Sequence, residues 1–160
     1  MRNSHKDNLK SITLELGGKS ALIVCPDADI ERAIPTACFL WNNCGQSCIS
    51  ASRVFVHESI YEQFVEKCVK FADTVVHGDP MDPATTQGPV ISKEQFDKIL
   101  WYISEGVKEG AKLAVGGERW GEKGYYIKPT IFVDVQDHMR IAREEIFGPV
   151  ISILKWKDEE

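Results

Sequence analysis

The chain has 160 residues, 43% hydrophobic and 27% charged, with a formal net charge of -5. That length suffices for one domain with its own core, and the acidic balance argues against nucleic acid or an anionic membrane as the main partner. No apolar run approaches the roughly 20 residues of a membrane span, and the polar start Met1–Asp7 lacks a signal-peptide core, so the expectation is a soluble chain, cytoplasmic by default with the mitochondrion left open.

In chain order, Ser11–Leu16 and Ala21–Val24 read as short strands separated by Gly17-Gly18. Asp29 is placed to cap a helix over Ile30–Trp41, in which Pro35 predicts a kink or a late start. Arg53–His57 is a β-rich run. Ser59 then caps a helix over Ile60–Val76, with Ile60, Phe64, Cys68, Phe71 and Val75 on one stripe. Gly78–Pro83 is a turn-rich loop. Ser92 with Gln95 forms a capping-box pattern for a helix that buries Phe96, Ile99, Leu100, Ile103 and Val107 and ends at Gly110. Lys112–Val115, Thr130–Val133 and Val150–Lys155 are further strands, and Glu118–Gly124 is an exposed loop. The alternation predicts one α/β domain with a largely parallel sheet flanked by helices. A strand pattern that runs almost to the last residue suggests a truncated chain.

Five cysteines without regular framing argue against a disulfide scaffold. No Cys-x-x-Cys pair occurs and the four histidines are scattered, so no metal site is expected. Cys25, Cys38 and Cys68 read as small core hydrophobes.

Cys48 differs. It follows Gly45-Gln46-Ser47 just after a helical pattern, where backbone N–H groups favour a thiolate, the nucleophilic form. The bland reading is a cysteine in a turn. Cys44 is either inert or a disulfide partner for Cys48 under oxidation. Glu15, framed by Leu14 and Leu16, reads as a general base with a raised pKa or as a strand residue facing water. Gly17-Gly18-Lys19-Ser20 lacks the first glycine of a phosphate loop. Glu145-Ile146-Phe147-Gly148-Pro149 presents an acid and an aromatic ring on a rigid turn, or simply ends a helix.

Taken together and in this order, Leu14–Ser20, Gly45–Cys48 and Glu145–Pro149 resemble the aldehyde dehydrogenase superfamily. Asn8-Leu9-Lys10, Gln87-Gly88-Pro89 and Lys128-Pro129-Thr130 support the likeness. It runs from about Asn8 to the end, with Met1–Asp7 divergent, and is nearest to the non-phosphorylating enzymes that act on aliphatic or aromatic aldehydes.

The resemblance implies an oxidoreductase that converts an aldehyde to a carboxylic acid with NAD or NADP. Cys48 would form a thiohemiacetal and then a thioester, which water activated by Glu15 would hydrolyse. Glu145 would bind the nicotinamide-ribose hydroxyls and Phe147 the nicotinamide. The Leu16 carbonyl would lie near the carboxamide, with Gly17 allowing close approach. Trp41, Asn42, Ser47 and Ile49 would border the aldehyde channel. It also implies that 8–160 is part of a catalytic domain. The Rossmann-type cofactor domain, the asparagine that completes the oxyanion hole and the subunit-bridging strand would then lie outside this sequence. The chain alone is accordingly expected to be weakly active or inactive, because one lost oxyanion donor typically costs about 100- to 1000-fold. A homo-oligomer, or association with a chain supplying the cofactor domain, follows as the expected partnership. The competing readings are a catalytically silent interaction module and a cofactor-free esterase using Cys48 and Glu15.

Overall fold

Short runs of β-branched and aliphatic residues alternate their side chains between two faces, and this builds the centre of the molecule. The computed structural model describes residues 11–158. Its strands are β1 (Ala21–Val24), β2 (Arg53–His57), β3 (Lys112–Val115), β4 (Thr130–Val133) and β5 (Val150–Trp156). They form one five-stranded sheet in the order β1-β2-β5-β4-β3. The β1–β2, β2–β5 and β4–β5 pairings are parallel, and only β3, at the edge, runs antiparallel to β4. The sheet is thus largely parallel, as the sequence pattern predicts.

Helices α1 (Ile30–Cys38) and α2 (Tyr61–Ala72) pack on one face. There Trp41 and Phe64 meet Val54, Val56, Ile151 and Ile153. Helices α3 (Lys93–Lys108) and α4 (Arg140–Arg143) pack on the other, where Ile99, Ile103 and Ile141 meet Phe132, Val150 and Leu154. The period of two along β5 decides which side chain goes where. Buried on both faces, β5 reads as an almost continuous apolar run. Its one buried polar residue, Ser152, is satisfied by donating to the Ile141 carbonyl at 3.3 Å.

Local signals set most helix ends. Asp29 Oδ1 accepts the Glu31 N–H at 3.1 Å, so α1 starts at Ile30 and Pro35 does not delay it. A 3₁₀ turn over Phe39–Asn43 continues beyond α1. Ser92 Oγ caps α3 by accepting the Gln95 N–H at 3.2 Å. Gly110, at φ +97°, ends α3 through N–H bonds back to Val107 and from Ala111 to Gly106.

Four expectations are corrected. Ser11–Leu16 is not a strand: it has no ladder partner among the described residues and its apolar side chains are exposed. The second helix begins at Tyr61 after a 3₁₀ turn over Glu58–Ile60 and stops at Ala72; Ser59 bonds to His57 instead of capping it. Val107 is 52% exposed, because the buried stripe of α3 runs through Phe96, Ile99, Ile103 and Gly106. Gly106 lets the helix approach: a Cβ there would meet Ile141 at 3.0 Å and Phe132 at 3.2 Å. Cys25 is exposed, since it lies in the turn that follows β1.

Candidate active site

The strand order explains why segments far apart in sequence meet. β1, β2 and β5 are neighbours and parallel. Each is preceded directly by one of the singled-out segments: Glu15–Ser20, Cys44–Ser50 and Glu145–Pro149. All three therefore gather at the N-terminal edge of the sheet. The Arg53 N–H donates to the Ser20 carbonyl at 3.2 Å and the Ser152 N–H to the Ser52 carbonyl at 2.9 Å, which locks the three feeds side by side.

The thiol loop is built on backbone that most residues avoid. Cys44 has φ 59° and Gly45 φ 68°. Their N–H groups turn back to the Trp41 and Leu40 carbonyls. A Cβ on Gly45 would collide with the Gly148 carbonyl, so this loop rests directly on the Glu145–Pro149 turn. Gln46 Oε1 accepts the Ile91 N–H at 3.0 Å and ties the loop to the start of α3. Cys48 is exposed at the end of this loop. Its carbonyl accepts Ser20 Oγ at 3.1 Å.

Glu145 meets the glycine turn across the same space. The Gly18 N–H donates to Glu145 Oε1 at 3.0 Å. A Cβ on Gly17 would lie 2.5 Å from Glu145 Oε2, so only glycine leaves that space to the carboxylate. Phe147 holds φ 57°, an uncommon angle for a bulky residue. Gln95 Nε2 offsets that strain by donating to the Ile146 and Phe147 carbonyls at 3.1 and 2.7 Å.

These groups line one cleft of about 570 Å³. Cys48, Ser47 and Gln46 form one side; Glu15, Leu16 and Gly17 form another; Glu145, Phe147, Gln95 and Lys98 complete it. Gln95 and Lys98 were not anticipated as wall residues. Gln95 carried a signal as the third residue of a capping pattern, but its side chain reaches the Phe147 turn and not the Ser92 N–H. A second space of about 570 Å³ shares Ser47 and is lined by Pro35, Phe39, Leu40 and Ile49. Ile49 is 84% exposed there.

Three expectations change. Trp41 is 1% exposed and sits in the core beside Phe71; it lines neither space. Asn42 is exposed but lines neither. Glu15 lies on the cleft, yet it is exposed and its neighbour Leu16 is 71% exposed, so no apolar frame closes around it.

The other cysteines separate from Cys48. The Cys44 thiol donates to the Gly88 carbonyl at 2.9 Å, and burial pushes it up to about 11. Cys44 is thus sealed in the core and not paired with the exposed Cys48. Contact with Cys68, then burial, pushes the Cys38 thiol up. Lys19 goes the other way: burial first, then Arg53, lowers it from 10.5 to about 8. Among the described residues no group of three or more His, Cys, Asp or Glu side chains is placed to hold a metal ion. No helix among them is long and apolar enough to cross a membrane. The stretches Met1–Asp7 and Asn8–Lys10 lie outside the described residues.

Comparison with known proteins bears on the family and the fold. The model of the aldehyde dehydrogenase family matches residues 1–160. Human aldehyde dehydrogenase 1A1 is 56% identical over 153 residues, which is 95% of this chain and 30% of that protein. The mitochondrial benzaldehyde dehydrogenase of Antirrhinum majus is 54% identical over 156 residues, 97% of this chain and 29% of that protein. An NAD+ complex of aldehyde dehydrogenase from Bacillus cereus superposes with a TM-score of 0.90 at 49% identity, covering 98% of this chain and 32% of that one. The chain therefore spans about 30% of the length of these relatives. The matched family, these relatives and the convergence of Cys48, Glu15 and Glu145 on one cleft lead to the same conclusion: the chain belongs to the aldehyde dehydrogenase family.

Proposed function

We propose that this chain carries the thiol half of an NAD(P)-dependent aldehyde-oxidising site. The observation that carries the reading is the cleft itself. Cys48, Glu15, Glu145 and Phe147 line it together although Glu15 and Phe147 stand at opposite ends of the sequence.

In this reading the Cys48 thiolate attacks the aldehyde carbon, forming a C–S bond and an oxyanion. The Cys48 N–H donates to that oxyanion. NAD(P)+, when bound, supplies the hydride acceptor that turns the thiohemiacetal into a thioester on Cys48. Glu15 then takes a proton from water, whose oxygen attacks the thioester carbon. The acid leaves and the Cys48 sulfur is restored. The exposure of Glu15 suits this step, because the carboxylate needs access to water.

The residues present fit the cofactor's nicotinamide half. Glu145 is pinned at one oxygen by Gly18, Gly17 has no Cβ to fill the space beside the other, and Phe147 is held on the cleft by Gln95. Glu145 would accept from the ribose hydroxyls and the Phe147 ring would pack against the nicotinamide, beside the Leu16 carbonyl. The Bacillus cereus relative is described as an NAD+ complex, which supports carrying this role over. The adenosine half would be held by a cofactor domain outside these residues. Ser47 and Ile49 would border the aldehyde's path, and Pro35 and Phe39 would extend it as an apolar wall.

The test is NAD(P)H formation from an aliphatic or aromatic aldehyde, with the chain alone and with a cofactor-domain partner. Turnover lost in Cys48→Ala supports the reading. Equal turnover in Cys48→Ala overturns it. Loss of aldehyde oxidation with retained hydrolysis of an activated ester would favour the esterase reading.

A further inference from the structure

Ser20 leads from the glycine turn into β1, and nothing in the reaction above uses its hydroxyl. That hydroxyl donates to the Cys48 carbonyl at 3.1 Å. The carbonyl has a particular place in the thiol loop. The Ser50 N–H donates to the Ser47 carbonyl at 3.1 Å, so Ser47–Ser50 is a β-turn with Cys48 and Ile49 at its centre. The Cys48 carbonyl belongs to the central peptide of that turn. Its orientation distinguishes a type I from a type II turn, and the closing bond of the turn holds neither of its ends. Ser20 supplies that hold. Gly18 adds to it: a Cβ there would lie 2.7 Å from the Cys48 carbonyl oxygen, so the turn rests directly on the glycines.

The segment that makes both contacts is itself anchored. The Ser20 carbonyl accepts the Arg53 N–H at 3.2 Å. Arg53 Nε and one terminal nitrogen donate to the Lys19 carbonyl at 3.0 and 2.6 Å. Glu15 stands on the same segment and lines the cleft with Cys48. The bond from Ser20 therefore joins the loop of the nucleophile to the segment that carries the base.

We propose that Ser20 is a positioning residue: its bond to the Cys48 carbonyl clasps the nucleophile's turn to the Glu15 segment and keeps the two in register for deacylation. The proposal rests on the roles of Cys48 and Glu15 given above. In that step the water oxygen bonds to the acyl carbon and Glu15 takes the water's proton. The C–S bond then breaks with its electron pair on sulfur. A misplacement of about 1 Å in such an arrangement can cost about 100-fold. Without the Ser20 hydroxyl the central peptide is free to turn, and the register is lost although the thiol stays exposed.

The experiment uses the full chain and p-nitrophenyl acetate, which acetylates a thiol without any cofactor. Release of p-nitrophenolate follows acylation, and intact and peptide mass spectrometry follows loss of the acetyl group from Cys48. Ser20→Ala is expected to slow deacylation about ten- to hundredfold. Alkylation of Cys48 by iodoacetamide, which needs no base on the Glu15 segment, should keep its rate, and the urea midpoint should barely move. Ser20→Thr, which retains a hydroxyl, should restore deacylation. In a Glu15→Gln background Ser20→Ala should add nothing, because the two act on one step. Wild-type deacylation in Ser20→Ala overturns the proposal, as does equal slowing with and without Glu15. Gly18→Ala keeps the hydroxyl but pushes on the same carbonyl. Its deacylation should also slow, and a wild-type rate there contradicts the proposal even if Ser20→Ala fails to fold. An acetyl group that forms away from Cys48, or Glu15→Gln deacylating at the wild-type rate, overturns the site reading itself and the clasp with it.

Discussion

Gly45 has φ 68°, and a side chain there would run into the Gly148 carbonyl, so the thiol loop rests this closely on the Glu145–Pro149 turn because this residue is glycine. Gly45→Ala is expected to destabilise the fold by about 1–3 kcal/mol, combining strain and overpacking, as read from urea unfolding. Gly17→Ala should differ. It lies on the exposed cleft wall and a Cβ there meets the Glu145 side chain first, so cofactor affinity should drop with little change in unfolding. Glu15→Gln should slow hydrolysis of the Cys48 thioester by about 100- to 10,000-fold, with acylation less affected; rapid-quench kinetics separates the two steps. Lys19 also leaves a mark on stability. Its folded pKa, about 8, lies below the ordinary 10.5, so between these values the unfolded chain binds the extra proton. Its destabilising contribution is fully present below about pH 8 and is relieved as pH rises toward 10.5, by on the order of 3 kcal/mol in total. Denaturation of wild type and Lys19→Met over that window should show the difference shrinking at high pH.

At the level of elements, α3 contributes more than its sequence announces. Its first turn caps itself through Ser92, ties the thiol loop through the Ile91 N–H, and holds the Phe147 turn through Gln95. Ser92→Ala should cost about 1 kcal/mol, as cap losses typically do. Gln95→Leu should remove both donors to the Phe147 turn and weaken cofactor binding more than it lowers the unfolding midpoint. The sequence makes the cap legible because Ser-x-x-Gln before an apolar period is a local signal. The second job of Gln95 is not legible, because its acceptors lie on residues Ile146 and Phe147, far along the chain. The same limit explains Trp41 and Glu15. Motif neighbours place both near Cys48, but burial depends on packing against α2 for Trp41 and on open space around Leu14 and Leu16 for Glu15. The strand misread at Ser11–Leu16 has a related cause: alternation is a local pattern, whereas a strand needs a neighbour to pair with.

For the whole molecule, the parallel neighbours β1, β2 and β5 turn three separate stretches of sequence into one cleft. Ligands of open α/β sheets commonly bind at the C-terminal ends of strands; here the candidate groups gather at the N-terminal ends, because each site segment precedes its strand. The fold class is readable from the order of apolar runs, and the ordered motifs single out the three segments that meet, but the geometry that joins them comes from the strand order. The apolar side chains of Ile12, Leu14, Leu16 and Ile23 lie exposed along the segment that leads into β1 and on β1 itself. Exposed apolar side chains favour association, so the chain is expected to self-associate in light scattering and to cease to do so when Leu14 and Ile23 are replaced by Ser.

The central claim, that Cys48 is the acylated nucleophile and Glu15 its deacylating base, is tested most directly by intact-mass and peptide mass spectrometry of Glu15→Gln. The protein would be incubated with an aldehyde and NAD+, with a cofactor-domain partner present. An acyl group that accumulates on Cys48 and on no other cysteine is the predicted result. Product acid formed by Glu15→Gln at the wild-type rate, with no acyl group on Cys48, would contradict the account.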